Sequence, residues 1–142
     1  MRSGTEGVPG ILGFAAACAA VSATFREDIL RESGLIAEFA EKFATLEGMR
    51  VNGAHEAPHI LSLAIPGIPV QNTINILQDH GICVSAGSAC AKGHRSHVLT
   101  AMGLPPETID AAFRISLCRD TTREELEQLC TVLRDEVLPR VR

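Results

Sequence analysis

The stretch Val84–Leu99, VSAGSACAKGHRSHVL, decides how the chain is read. A short apolar run, Ile82–Val84, leads into it, and small residues follow: Ser85, Ala86, Gly87, Ser88 and Ala89. Residues of this kind make a solvent-side loop rather than a helix or a central strand. Cys90 stands in that loop, with Lys92, His94 and Arg95 within five positions of it. Free cysteine is more often buried as a small hydrophobe, whereas cationic neighbours favour the reactive thiolate. Two readings stay open on these residues alone. One is a nucleophile carried on a loop; the other is a cysteine that stands near a turn and has no chemistry.

Working outward, Ser96–Met102 reads as a short helix with Ser96 as N-cap and Gly103 as C-cap. A further helix starts near Glu107. Ala112–Cys118, AFRISLC, alternates, with Phe113, Ile115 and Leu117 on one side and Arg114 and Ser116 on the other. Arg114 therefore stands opposite the apolar core, where a planar guanidinium suits a carboxylate. An exposed strand arginine without a ligand fits the same pattern. Thr121 and Glu124 read as a capping box opening a terminal helix to about Leu138, with Leu126, Leu129, Cys130, Leu133 and Val137 as one apolar stripe. Cys118 and Cys130 are expected in the core.

Upstream, Val70–His80 has helical spacing and Gly81 closes it. Pro58–Ile65 and Met49–Asn52 read as strands, with Pro66-Gly67 as a turn. Phe25–Leu46 has helical spacing that Gly34 is expected to divide, and Gly48 ends it. Val8–Ala23 is apolar nearly all round, with Pro9 in its first turn, which predicts a helix buried on several sides.

Several of these segments match one family. Gly87-Ser88-Ala89-Cys90 after a short strand, then Ser96-His97-Val98-Leu99 and Ala101-Met102-Gly103-Leu104, resemble the cysteine desulfurases. These are pyridoxal-phosphate enzymes of fold type I, similar to the class-V aminotransferases. Arg2-Ser3-Gly4-Thr5 and Phe113–Leu117 strengthen the likeness, which covers essentially the whole chain. The chain departs from the family's pattern at Gly7, usually Asn, at Cys118, commonly Gly or Ser, and at Asp120, commonly Phe.

The resemblance implies a C-terminal piece of such an enzyme, because in the family more than half of the chain precedes the Arg2–Thr5 motif. It implies an α+β fold with a small, mainly antiparallel sheet flanked by helices. Residues 1–47 would be the helical connection and 48–142 the small domain carrying the cysteine loop. It assigns Cys90 the attack on the sulfur of L-cysteine, leaving a persulfide and alanine, and Arg114 the substrate carboxylate. Thr5 is assigned the cofactor phosphate of the partner subunit in a homodimer. Pyridoxal phosphate is the electron sink. Its Schiff-base lysine is not expected here, since Lys42 and Lys92 match no lysine motif. The sulfur would pass to an acceptor protein such as an iron–sulfur scaffold. Two other readings remain: a selenocysteine lyase-like enzyme, and a non-enzymatic module that dimerises or carries sulfur.

Composition narrows the classes. The chain has 142 residues, enough for one domain with its own core, 46% of them hydrophobic and 21% charged. A net charge of −4 without a basic run argues against nucleic acid. No run reaches eighteen apolar residues, so no membrane span is expected, and the N-terminus lacks a signal-peptide core. Five cysteines without a CxxC pair fit reduced thiols in the cytoplasm better than a disulfide framework. Cys83, Cys90, His94 and His97 match no common zinc spacing, so no metal is expected.

Overall fold

Period-two alternation in three short segments builds one antiparallel sheet. β1 (Arg50–Asn52) pairs with β2 (Ile60–Ala64), and β2 pairs with β3 (Ala112–Ser116). The register sets Leu61 against Ile115 and Leu63 against Phe113, all four buried. The residues between them, Ser62 and Arg114, are also partners and face the opposite side. The computed structural model describes residues 4, 6–54, 57–87 and 95–141.

Helices cover the apolar face of this sheet. α1 (Val8–Ala44) contributes Leu35, Ile36, Phe39, Ala40 and Phe43 to the core. α5 (Arg123–Val132) contributes Leu126, Leu129 and Cys130, and a π-turn over Leu133–Val137 adds Leu133 and Val137. A 3-10 turn, Leu138–Arg140, ends the chain's regular structure. α2 (Val70–Asp79) turns Thr73, Ile76 and Leu77 inward. Two short helices, α3 (His97–Ala101) and α4 (Pro106–Asp110), lie between α2 and β3 in sequence. The arrangement is the expected α+β one, a small antiparallel sheet with helices.

α1 differs from the expectation in two ways. It is continuous over 37 residues, about 55 Å, and Gly34 does not divide it. A helical glycine costs only about 1 kcal/mol, and burial of Glu32, Leu35 and Ile36 on either side of Gly34 holds the turn in place. Nor is its first half buried. Val8, Ile11, Leu12, Phe14, Val21 and Phe25 are all exposed, Phe14 at 73%. By length and composition α1 is also apolar enough to cross a membrane. Counting uninterrupted apolar residues overlooks this, because Gly, Ser and Thr punctuate a stretch that carries no charge.

Three local expectations are corrected. Ile82–Val84 forms no strand; Ile82 and Val84 pack against the core, and only Ser85 pairs, as a single bridge to Arg114. Cys118 is exposed, because the alternation that buries Phe113, Ile115 and Leu117 turns it outward. The capping box is one residue later: Thr122 Oγ1 accepts from Glu125 N–H at 3.3 Å, and Glu125 Oε2 accepts from Thr122 N–H at 2.9 Å. Thr121 serves the preceding loop instead, accepting from Cys118 N–H at 3.0 Å.

Candidate functional site

Arg114 stands at the centre of β3 on the face away from the core. Its strand neighbours Phe113 and Ile115 are buried, so pleating directs the guanidinium outward. Among the described residues no side chain pairs with it. It lines a cleft of about 670 Å³ together with Ser62, Gln71, Gly87, Arg95 and Asp110. An unpaired guanidinium on the wall of such a cleft can hold a carboxylate in a two-point hydrogen-bonded pair.

Both stems of the segment bearing Cys90 are fixed on this cleft. On the incoming side, Arg114 N–H donates to Ser85 O at 2.7 Å and Ser85 N–H donates to Arg114 O at 3.1 Å. On the outgoing side, Arg95 Nε donates to Asp110 Oδ1 and Arg95 Nη2 to Asp110 Oδ2, both at 2.7 Å. Ser96 then caps α3, its hydroxyl accepting from Leu99 N–H at 3.3 Å. Cys90 itself, like Thr5, lies outside the described residues. Gly87, the last described residue ahead of that segment, lines the cleft.

The Arg95–Asp110 pair changes the electrostatic reading of the loop. Arg95, one of the cations near Cys90 in the sequence, is neutralised by Asp110. The hydrogen bonds between them hold the Asp110 carboxyl below its usual range and raise Arg95. Among the described lining residues, Arg114 is the charged side chain without an opposite partner. Asp110 was missed because it lies fifteen residues downstream of its partner, with no sequence pattern joining the two.

Of the other thiols, Cys130 is buried, whereas Cys18 and Cys83 are exposed like Cys118. Cys118 lies 3.6 Å from the Thr121 hydroxyl, which holds its thiol below the ordinary value. His97 is exposed on α3. Among the described residues no group of three or more His, Cys, Asp or Glu side chains could hold a metal ion.

The model of the family "Aminotransferase class-V" matches residues 1–129. The chain belongs to the aminotransferase class-V family. Curated relatives include a cysteine desulfurase of Nostoc sp. (strain PCC 7120), 34% identical over 99% of this chain and 36% of that protein. A cysteine desulfurase of Rhodobacter capsulatus is 33% identical over 99% of this chain and 38% of its own length. A solved NifS-like protein from Rickettsia africae superposes with a TM-score of 0.78 at 29% identity, over 93% of this chain and 35% of that one. The chain thus spans little more than a third of the length of these class-V relatives, and its resemblance to cysteine desulfurases is borne out.

Membership implies pyridoxal phosphate for the family, and the residues present can be tested against it. Covalent attachment requires a lysine, and the chain has two. Lys42 is on the buried half of α1, its ammonium 5.1 Å from the Phe39 ring centroid, and does not line the cleft. Lys92 lies outside the described residues. The described lining of the cleft thus offers a guanidinium that suits a carboxylate and no lysine for Schiff-base attachment of the cofactor.

Proposed function

We propose that this chain is the C-terminal part of a cysteine desulfurase, in which Arg114 holds the α-carboxylate of L-cysteine and Cys90 receives its sulfur. The observation that carries the reading is the pairing of Ser85 with Arg114. It joins the segment bearing the thiol to the strand bearing the carboxylate-binding guanidinium.

The net conversion is balanced within the two thiols. The carbon–sulfur bond of L-cysteine breaks and a sulfur–sulfur bond forms to Cys90 Sγ. The sulfur is oxidised to the sulfane level, the carbon is reduced, and one proton replaces sulfur on the carbon. The products are L-alanine and a Cys90 persulfide, which then passes its outer sulfur to an acceptor protein such as an iron–sulfur scaffold. A thiol kept partly as thiolate suits this nucleophilic role.

In this reading pyridoxal phosphate and its lysine belong to a part of the enzyme outside these residues. Residues 1–47 are the connection to that part, and 48–142 are the domain bearing the loop. Thr5 meets the cofactor phosphate of the partner subunit in a cytoplasmic homodimer. A second reading, a cofactor-free sulfur carrier, is favoured by one observation: the described lining of the cleft has no lysine.

The test joins this chain to a class-V large domain, supplied ahead of residue 1, and adds L-cysteine labelled with radioactive sulfur. Label on Cys90 and alanine in equal amounts are expected, with Cys90→Ser losing the label and keeping the cofactor's absorbance. Sulfur transfer that survives Cys90→Ser removes Cys90 from the mechanism. With pyridoxal phosphate and the 142-residue chain alone, borohydride reduction should yield no stable adduct. An adduct at Lys42 or Lys92 with alanine release would make the short chain a catalyst in its own right.

A further inference from the structure

We infer that Ser62 is a second donor to the carboxylate held by Arg114, and that Asn52 directs its hydroxyl proton toward that ligand. The inference rests on the carboxylate reading of Arg114 and adds to it. Asn52, Ser62 and Arg114 are register partners, one on each strand, and form a single polar row across β1, β2 and β3. Direct partners in an antiparallel sheet share a face, here the one away from the core. Exposure rises along the row, from buried Asn52 through partly buried Ser62 to exposed Arg114. Ser62 and Arg114 both line the cleft. In the neighbouring row Ala64 pairs with Ala112, and these short side chains leave room above the sheet for a ligand.

Backbone pairing brings the two cleft residues close. Arg114 N–H donates to Ser85 O, and Arg114 O accepts from Ser85 N–H. Both main-chain groups of Arg114 therefore point away from β2, and it faces Ser62 as a non-hydrogen-bonded pair. Pairs of that kind have Cα atoms about 4.5 Å apart and the closer side chains.

The hydroxyl is free to donate. Asn52 Nδ2 donates to Ser62 Oγ at 3.2 Å. A serine hydroxyl has one proton and two acceptor sites. The amide takes one of the acceptor sites, and among the described residues no group accepts the proton. Donation into the oxygen also polarises the O–H bond and strengthens it as a donor. A carboxylate has about four lone-pair sites, of which a two-point guanidinium fork uses two. A remaining site suits a hydroxyl on the adjacent strand. In this scheme Ser62 touches the ligand, whereas Asn52 is a positioning residue that acts through Ser62.

The test is equilibrium binding to the purified chain, read from the backbone amide signals of β2 and β3 by NMR. The probe is N-acetyl-L-alaninate, a carboxylate without an ammonium group, and N-acetyl-L-alaninamide is its neutral counterpart. The carboxylate should shift these signals, the neutral amide should not, and Arg114→Met should abolish the response. Ser62→Ala should weaken binding roughly ten-fold, the low end for a hydrogen bond to a charged group. Ser62→Thr keeps a hydroxyl and should stay within about two-fold of the unaltered chain. Asn52→Leu, or Asn52→Ala should the larger side chain not fit, should weaken binding about three-fold and change nothing further in Ser62→Ala.

Undiminished binding in Ser62→Ala, or equal losses in Ser62→Ala and Ser62→Thr, overturns Ser62 as a donor. The carboxylate reading then still stands on the loss in Arg114→Met. The two Ser62 variants decide this whether or not the Asn52 variants fold. A loss from Asn52 substitution that is the same with and without the Ser62 hydroxyl overturns the positioning role. No response in the unaltered chain, or one that survives Arg114→Met, overturns the carboxylate reading, and this inference with it.

Discussion

Phe43→Ala measures how firmly α1 is built into the domain. Phe43 is fully buried and Phe39 is 1% exposed, their ring centroids 6.0 Å apart in the core. Truncating a buried phenylalanine to alanine costs about 3–5 kcal/mol, combining lost burial with the cavity left behind. Against a total stability on the order of 5–15 kcal/mol, that is a large fraction. For a chain of this size it corresponds to a fall in Tm of roughly 10–17 °C. Phe14→Ala is the control on the same helix, since Phe14 is 73% exposed. It should change stability by no more than about 0.5 kcal/mol. The assay is urea unfolding followed by circular dichroism, with matched m-values confirming that both variants unfold from the same state. Equal losses for the two substitutions, or a larger loss for Phe14→Ala, would refute the division of α1 into an embedded half and an overhanging half.

Two further outcomes follow from the loop ahead of α5. Thr122→Ala should cost about 1 kcal/mol by removing the cap, and an unaltered urea midpoint would refute the assignment of Thr122 as N-cap. Thr121→Val should shift the alkylation profile of Cys118 toward higher pH. The Thr121 hydroxyl favours the thiolate, so its loss raises the thiol's pKa, and iodoacetamide labelling followed against pH checks the direction.

The sheet and core were legible because period-two and period-3.6 patterns are local. Leu61, Leu63, Phe113 and Ile115 declare one face, and the stripe from Leu126 to Val137 declares the helix that meets it. The errors have physical causes as well. The sequence Thr121-Thr122-Arg123-Glu124-Glu125 offers two overlapping capping boxes, and the free hydroxyl requirement of Cys118 N–H selects between them. Cys118 was misplaced against its own strand's alternation, which already pointed it outward. Gly34 was read as a break because propensity is local, whereas packing on both sides of it is tertiary. At the site, Arg114 was legible from pleating. The Arg95–Asp110 pair was not, since only folding brings α4 to the stem of the Cys90 segment.

The uninterrupted run of α1 from Val8 to Ala44 makes it a lever. Phe14 and Phe39 are separated by about 37 Å along a single helix. The helix is unbroken through Ser33-Gly34. Each degree of tilt at the embedded end moves Phe14 by about 0.6 Å. A substitution that loosens Phe39 or Phe43 would therefore be felt most at the far, exposed end of the helix, where Val8, Ile11, Leu12 and Phe14 stand.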